Sequence, residues 1–540
     1  MVGSPIKGAE GTGMSTADGI LVVGAGPVGL TTASQLARLG VPVRVVDVLP
    51  APTTESRAVS LHARSMEMLA SMGVLPRLEA RGRRIPAIAM VDGRTGETRA
   101  HVPFDEVPSR HPFLLDIPQP DTEAVLAERA TELGIVVERG VSLTGLSQDD
   151  DGVEVTLRGP EGEQTTRVGW VVGADGGHST TRHLAGTHLD GAFHGQHFAM
   201  ADVDVDTEFS PDAIRMFTHP DGMGMLFPLA GDRARIMFLV DDPGPHAPDP
   251  TLEQIQALAD ARMGGRVIVR DPHWLTYFEV HHAQVPRYRL GRVLLAGDAA
   301  HIHSPAGAQG MNTGIQDAAN LAWKLALVVQ GRAEPVLLDT YHDERHPVGA
   351  EVVKATTLLT DVGTAQGAGA ALRDAALFVV GHVHPLGNAA ATTTAELRVS
   401  YRHSPLSVQH GGHHHGAARV GEHAPDPVGL ARPDGTPVAV EELAERPGFL
   451  LLVRGDAAGQ EEALGDLGSV VRIGEDVLDP DDVVGRAYGL GAEGLALIRP
   501  DGYLGLVADT ADPALVRRYL AETLHLAAPA AQSAAVAEPS

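Results

Sequence analysis

The chain has 540 residues, enough for two to four domains with their own cores. A formal net charge of −27 argues against nucleic acid and anionic membrane as partners and says nothing about the fold. Cysteine is absent, which excludes disulfides, zinc–thiolate sites and thiol catalysis.

The first 13 residues, MVGSPIKGAEGTG, lack the apolar core of a signal peptide, and no apolar run approaches the length of a membrane span. Residues 1–16 are therefore expected to be a disordered leader or tag, and the protein cytoplasmic. Residues 20–23 read as a strand, followed by Gly24-Ala-Gly26-Pro27-Val28-Gly29. A helix is predicted over 30–39 with Gly40 as its cap, then a strand over 43–46 that Asp47 ends. A bare GxGxxG is weak. Here a strand precedes it, a helix follows, and an acid stands 23 residues beyond the first glycine. The glycines make the turn and let a pyrophosphate reach the helix amides. Asp47 would accept bonds from ribose hydroxyls. An acid there disfavours a 2′-phosphate, so FAD or NAD fits better than NADP.

Arg57 follows a turn and precedes a helix-like stretch; by itself it reads as a surface arginine. Gln119 opens another helix that Asp121 or Thr122 could cap. Strands are expected over 134–139 and 153–157. Residues 170–182, WVVGADGGHSTTR, form a second strand–turn–helix, with Asp175 and Gly176 in the turn and Arg182 in the helix. Short runs at 199–205, 216–219, 224–229 and 234–240, broken by turn residues, predict an antiparallel sheet. Phe217, Met223, Met225 and Phe227, with Pro228 beside them, could line a large apolar pocket.

Residues 291–325, GRVLLAGDAAHIHSPAGAQGMNTGIQDAANLAWKL, carry the strongest signal. A buried strand ends at Gly297-Asp298. A small-residue loop holds Pro305 and Gly307. A helix then begins near Gly310, Met311 and Asn312, with Ala318, Leu321, Ala322 and Leu325 on its apolar face. Helix amides attract negative charge, while Asp298 repels phosphate and asks for a hydroxyl. A flavin supplies both, through its ribityl chain and its reduced ring. Residues 348–400 look helical and Ala-rich. HGGHHHG at 410–416 reads as a linker, and no metal site is expected. Strands near 449–453 and 495–498 and a closing helix over 513–525 give residues from 416 a separate texture.

These motifs together resemble the single-component FAD-dependent aromatic hydroxylases. The matching strings are GxGxxG, SRA…ARSMEML, GADGxxSxxR, GDAAH with PxxxQGxN, and YxxERxP. The likeness is strongest to the aromatic polyketide branch, the angucycline and anthracycline hydroxylases with their rifamycin-pathway, mithramycin-pathway and phenol hydroxylase relatives. It implies an α/β fold: a Rossmann-type FAD-binding domain of the p-hydroxybenzoate hydroxylase kind, an antiparallel substrate sheet and a C-terminal thioredoxin-like domain. The implied FAD domain comprises residues 17–80, 114–189 and 286–347. The substrate domain takes 81–113 and 190–285, a helical segment and linker 348–415, the thioredoxin-like domain 416–527, and a disordered tail 528–540. Without cysteine that domain would have a structural or dimerisation role, and it is expected to be dispensable for flavin binding.

The resemblance implies non-covalent FAD held by Gly24, Gly26, Pro27, Val28, Gly29, Asp47, Arg57, Gln119, Asp175, Gly176, Arg182, Gly297, Asp298, Pro305, Gly310, Met311 and Asn312. Arg57, Pro305 and Gly307 would stand at the catalytic centre, and Phe217, Met225, Phe227 and Pro228 against the substrate. NADPH would dock transiently as reductant, and O2 would form a C4a-hydroperoxyflavin that hydroxylates a large aromatic substrate. Baeyer–Villiger oxygenation of a ketone, or a non-catalytic flavin-binding interaction role, are the alternatives. The protein would be a monomer or homodimer.

Overall fold

A computed structural model describes residues 19–244, 246–302, 309–364, 384–412 and 415–526. Five sheets organise it. The first has six strands in the order Arg289–Leu290, Val293–Leu295, Trp170–Gly173, Ile20–Val23, Val43–Asp47, Val137–Arg139. All neighbours are parallel except the first pair. The strands are near-continuous Val/Leu/Ile runs because helices cover them. Val23 lies opposite Gly173 and Val46, and Gly173 opposite Leu295. The turns after these strands therefore share one sheet edge, at the carboxyl ends, where open α/β sheets bind ligands.

The second large sheet has eight strands: His301–Ile302, Val267–Gln284, Asp190–Thr207, Arg233–Val240, Gly224–Pro228, Ala213–Thr218, Ala87–Asp92, Thr98–Pro103. The expectation of an antiparallel sheet needs one correction. Ala213–Thr218 runs parallel to Ala87–Asp92, because the chain enters this sheet twice, from 87 and again from 190. One face packs on helix Leu252–Arg262, which starts with a Thr251/Gln254 capping box. The other face packs toward the first domain through Val59, Ala63, Leu114, Ala391 and Ala395.

Several local expectations shift. The helix after the glycines starts at Pro27, not Leu30, since proline at the first helical position loses no bond. The helix at 119 starts at Gln119 itself, and neither Asp121 nor Thr122 caps it. The strand expected over 134–139 is only Val137–Arg139, and Ser142–Gln148, Val153–Gly159 and Gly162–Val168 form a separate three-stranded sheet. Helix Asp339–Thr364 runs through Pro347, so the YxxERxP stretch lies inside a helix.

The C-terminal sheet has the order Val408–His410, Leu504–Ala508, Gly494–Ile498, Phe449–Arg454, Gly468–Arg472. Leu451, Phe449 and Leu497 pack with Trp323 and Leu327 of helix Gly310–Val329 and with Leu337. Behind them lies a buried charged network. Arg499 donates to Glu344 at 2.6 and 2.8 Å and to Asp501 at 3.0 and 2.5 Å. Lys324 donates to Glu344 at 2.7 Å, and Asn320 and Trp323 reach Asp501 at 3.0 and 3.2 Å. Among the described residues no helix is long and apolar enough to cross a membrane.

Candidate active site

The glycine turn after Ile20–Val23 shows which of its glycines serve the chain and which serve something else. Gly24 has φ +102°, and a Cβ on Gly29 would fall 2.0 Å from the Gly24 carbonyl oxygen. Both are required by the fold alone. A Cβ on Gly26 would meet only Glu123, at 4.0 Å. Nothing in the protein demands glycine there, and the space beside it is open to a ligand. Gly26 caps helix Pro27–Arg38 without a side-chain bond, and no acid sits in its first turn. Its amides remain available to an anion. Burial raises the Glu123 carboxyl above its ordinary range, which lessens repulsion beside such an anion.

Asp47 accepts the Ala25 amide at 2.6 Å and the Leu49 amide at 2.8 Å. It thus braces the glycine turn as well as facing it. Val28 is an interlock. A Cβ on Gly297 or on Gly314 would strike its Cγ2 at 2.8 or 2.5 Å, so Val28 seats the third turn against the first.

In the second turn, Asp175 accepts Thr181 N–H at 2.9 Å and the Thr181 hydroxyl at 3.0 Å, capping helix Thr180–Leu184, while Gly176 takes φ +76°. Arg182 is buried and donates to Gly177 O at 2.7 Å and Ala299 O at 3.2 Å, tying this turn to the third.

In the third turn the strand stops at Leu295, and Gly297–Ala299 is a 3₁₀ turn. Asp298 is solvent-exposed, yet the protein mass around it raises its carboxyl, against the pull of His301 and Arg57. Both hold for a side chain that reaches solvent with protein packed closely around it. The sequence reading missed what fixes this turn. Asp317 accepts Gly297 N–H at 3.1 Å, pairs with His301 at 2.7 Å and accepts Arg345 Nε at 2.7 Å. Burial alone would raise Asp317, but Arg345 and His301 hold it below the ordinary range. An acid inside the apolar helix was the available signal.

Arg57 is more than half exposed and pairs with Glu55 at 2.8 Å. Its two neighbours are clamped: Gln119 accepts Ala58 N–H at 3.1 Å, and Ser56 Oγ accepts Gln119 N–H at 3.2 Å. Ser56 Oγ also accepts Arg235 Nη2 at 2.6 Å. Arg235 forms a buried two-point pair with Asp202 at 2.7 and 3.0 Å, a link from the sheet to the Arg57 loop that no motif announced. Gly310 and Met311 open helix Gly310–Val329, whose first turn has no side-chain cap and no acid. Asn312 accepts His62 N–H and donates to Ser60 O, both at 2.9 Å, so its amide is engaged within the chain. Pro305 and Gly307 lie outside the described residues.

Met225 and Phe227 are buried on the sheet face toward the first domain, and Pro228 ends their strand. Phe217 is a correction. It is fully buried on the opposite face, packed edge-on against Phe209 with ring centroids 5.3 Å apart. Strand alternation sends its neighbour Met216 to the face toward the first domain instead. Among the described residues no group of three His, Asp or Glu could hold a metal. Part of the HGGHHHG stretch lies outside them.

Three turns at one sheet edge, a helix start without a side-chain cap beside the open side of Gly26, and an exposed acid on the third turn fit a dinucleotide-binding flavoprotein. The chain belongs to the FAD binding domain family, whose model matches residues 18–356. It is 36% identical over 511 residues to 6-methylpretetramide 4-monooxygenase of Streptomyces rimosus, covering 90% of each chain. It superposes on the anhydrotetracycline hydroxylase of Streptomyces rimosus with a TM-score of 0.76 and 32% identity, over 93% of this chain and 98% of that one. Aklavinone-11 hydroxylase, solved with FAD and aklavinone, gives a TM-score of 0.75 and 28% identity over 94% and 99%. These relatives are aromatic polyketide monooxygenases, the branch that the sequence motifs resemble.

Proposed function

We propose that this protein is an FAD-dependent monooxygenase that uses NADPH and O2 to place one oxygen atom on a large aromatic, polyketide-type substrate. The observation that carries this reading is the open space at Gly26 joined to the exposed Asp298 on the same edge as the Arg57 loop. When bound, FAD supplies a ring that NADPH reduces and that then activates O2. The chain's own residues divide the remaining work. The N–H groups of Val28 and Gly29, at the start of helix Pro27–Arg38, would hold the pyrophosphate, with Asp47 toward the ribose. Asp298 accepts from ribityl hydroxyls. The first-turn amides of helix Gly310–Val329 stabilise negative charge on the ring. Arg57, on its clamped loop, adds a cation beside Asp298. The apolar sheet face with Met225 and Phe227 excludes water from the reacting carbon.

The domains are an FAD domain of the p-hydroxybenzoate hydroxylase kind, the substrate domain, to whose sheet His301–Ile302 adds an edge strand, and a thioredoxin-like domain over 416–527, to whose sheet Val408–His410 adds an edge strand. The parallel pair Phe449–Arg454/Gly468–Arg472 followed by the antiparallel pair Gly494–Ile498/Leu504–Ala508 supports the last. We assign no nucleic-acid or membrane partner and place the enzyme in the cytoplasm. NADPH oxidation, measured with and without polycyclic phenols and followed by mass analysis for an added oxygen, tests the reading. Ligand-stimulated oxidation with a product 16 mass units heavier is expected; oxidation without any product overturns it.

A further inference from the structure

The charged network around Glu344 is closed, but a cavity of about 330 Å³ lies beside it. That volume suits a small molecule. One side of the cavity comes from the end of helix Pro27–Arg38 and from helices Ala63–Ser71 and Gly310–Val329. The other side comes from stretches within 423–426, 440–450 and 498–502. None of the residues assigned to FAD lines it.

Most charges on these walls satisfy one another. Glu67 accepts Arg64 Nη1 at 2.8 Å and pairs with His423 at 2.9 Å, Asp426 pairs with Arg110, and Asp501 with Arg499. Four groups remain open. Arg38 donates to Gln35 at 2.7 Å and meets no acid among the described residues. Burial, with the charge of Arg129, lowers its guanidinium to about 10, so an anion beside it would restore its charge. Arg64 is 2% exposed, and its Nε has no partner. On the other side, the Glu441 and Glu445 carboxylates have no partner among the described residues. Glu441 reaches solvent, but the protein packed around it pushes its carboxyl up to about 7, helped by Glu67, Asp426 and Glu442 and opposed by Arg110. A cation there would reverse that shift. The same lining includes the apolar Met68, Trp323, Leu450 and Ile498.

A simple anion would answer the two arginines and leave the two acids unpaired. A simple amine would do the reverse. A metal ion lacks its ligand set among the described residues. A zwitterion answers both pairs, and an apolar body covers the rest of the lining. We propose that this cavity is a further ligand site, which takes a free amino acid with an apolar body, its carboxylate toward Arg38 and Arg64 and its ammonium toward Glu441 and Glu445. The site is separate from the cofactor site and does not depend on the monooxygenase reading. Its walls come from both sides of the seam, so an occupant ties the 416–526 region to the rest of the chain and raises the melting temperature by mass action.

The test uses the full-length, FAD-loaded protein at pH 8, where Glu441 is ionised. Two zwitterions are titrated by calorimetry: L-phenylalanine, and 6-aminohexanoate, whose charges stand further apart. Their single-charge relatives are 3-phenylpropanoate with 2-phenylethylamine, and hexanoate with hexylamine. The expected result is one site per chain for at least one zwitterion, a higher melting temperature with it, and binding at least tenfold weaker for both of its relatives. Arg38→Met and Glu441→Gln should each weaken the zwitterion at least tenfold and leave FAD affinity within about twofold of the parent. Should either variant fail to fold, the exposed Glu445→Gln is read in the same way. The proposal is overturned if neither zwitterion binds, if a single-charge relative binds as well as its zwitterion, or if binding survives the substitutions.

Discussion

Helix Gly310–Val329 meets two different environments along its length. At its first turn no side chain caps the amides and no acid is present. Ten residues on, Asn320, Trp323 and Lys324 are fully buried, and each donates to Glu344 or Asp501. The N-terminal half resembles the turns at the sheet edge, where Gly26 faces space and Asp298 is exposed with its charge disfavoured. The C-terminal half is a closed seam with the 416–526 region. Groups left open mark where a ligand completes the structure, while groups fully engaged mark where the protein completes itself.

Removing one member of the seam should produce the largest effect. Arg499→Met leaves Glu344 and Asp501 without their shared guanidinium, and breaking a buried pair costs about 3–5 kcal/mol. Burial would raise the Glu344 carboxyl, but Arg499 and Lys324 pull it well below the usual range. A depressed folded value means the stabilisation is present above the ordinary carboxylate range and fades as pH falls through it. Chemical denaturation should therefore separate parent from variant strongly at pH 7 and less at pH 3. The same seam reverses the expectation that residues from 416 are dispensable. Truncation after 415 uncovers Trp323, Leu327 and the Glu344–Lys324 pair, and should yield insoluble or FAD-free protein. A soluble, yellow truncated form would show that the seam is accessory.

The open side is sharpened by two glycines three residues apart. Gly29→Ala drives a Cβ into the Gly24 carbonyl, so about 1–3 kcal/mol or more of apo stability should be lost together with FAD. Gly26→Ala meets open space, so the apo melting point should stay put while FAD affinity falls at least tenfold, about 1.4 kcal/mol. If both variants melt alike and bind alike, this turn is not where the cofactor lies.

The open side was also the legible one. GxGxxG, GADG and GDAAH each place small residues at a strand end, the last two with an acid among them, a local pattern that needs no knowledge of distant contacts. The seam was not legible. Glu344 and Arg499 are 155 residues apart, and each alone reads as an ordinary surface charge. Asp202–Arg235 was hidden for the same reason. Phe217 failed differently: an apolar residue names a core but not its side, and the strand register decided that Met216 faces the first domain.

Asp298→Ala probes the third turn. Losing one charge-assisted bond to the ribityl chain costs roughly 1.5–3 kcal/mol, or about 10- to 150-fold in FAD affinity. Because its carboxyl is exposed and its charge disfavoured, the apo-protein should melt no lower than the parent. FAD titration paired with a melt of both apo-proteins checks this. An unchanged dissociation constant with a lower melting point would make Asp298 a structural turn residue.

Asp116 lies between the two kinds of environment, and its effect, read across a single pH unit, is the smallest. It is fully buried, accepts the Ser60 hydroxyl at 2.5 Å through one oxygen, and has no partner for the other. Burial pushes its carboxyl up to about 8, although Ser60, Arg235 and Arg83 oppose this. With the folded value raised, the folded state binds the extra proton. The stabilisation is complete below the ordinary carboxyl range and is lost as pH rises toward 8, at most about 1.4 kcal/mol per unit. Asp116→Asn keeps the shape and cannot ionise, so its stability should lack that slope. The two proteins should denature alike near pH 4 and diverge above it in favour of the variant, by about 1.4 kcal/mol over the unit between pH 6 and 7. Parallel curves would mean that Asp116 stays ionised beside Arg235 and belongs with the fully engaged groups of the seam.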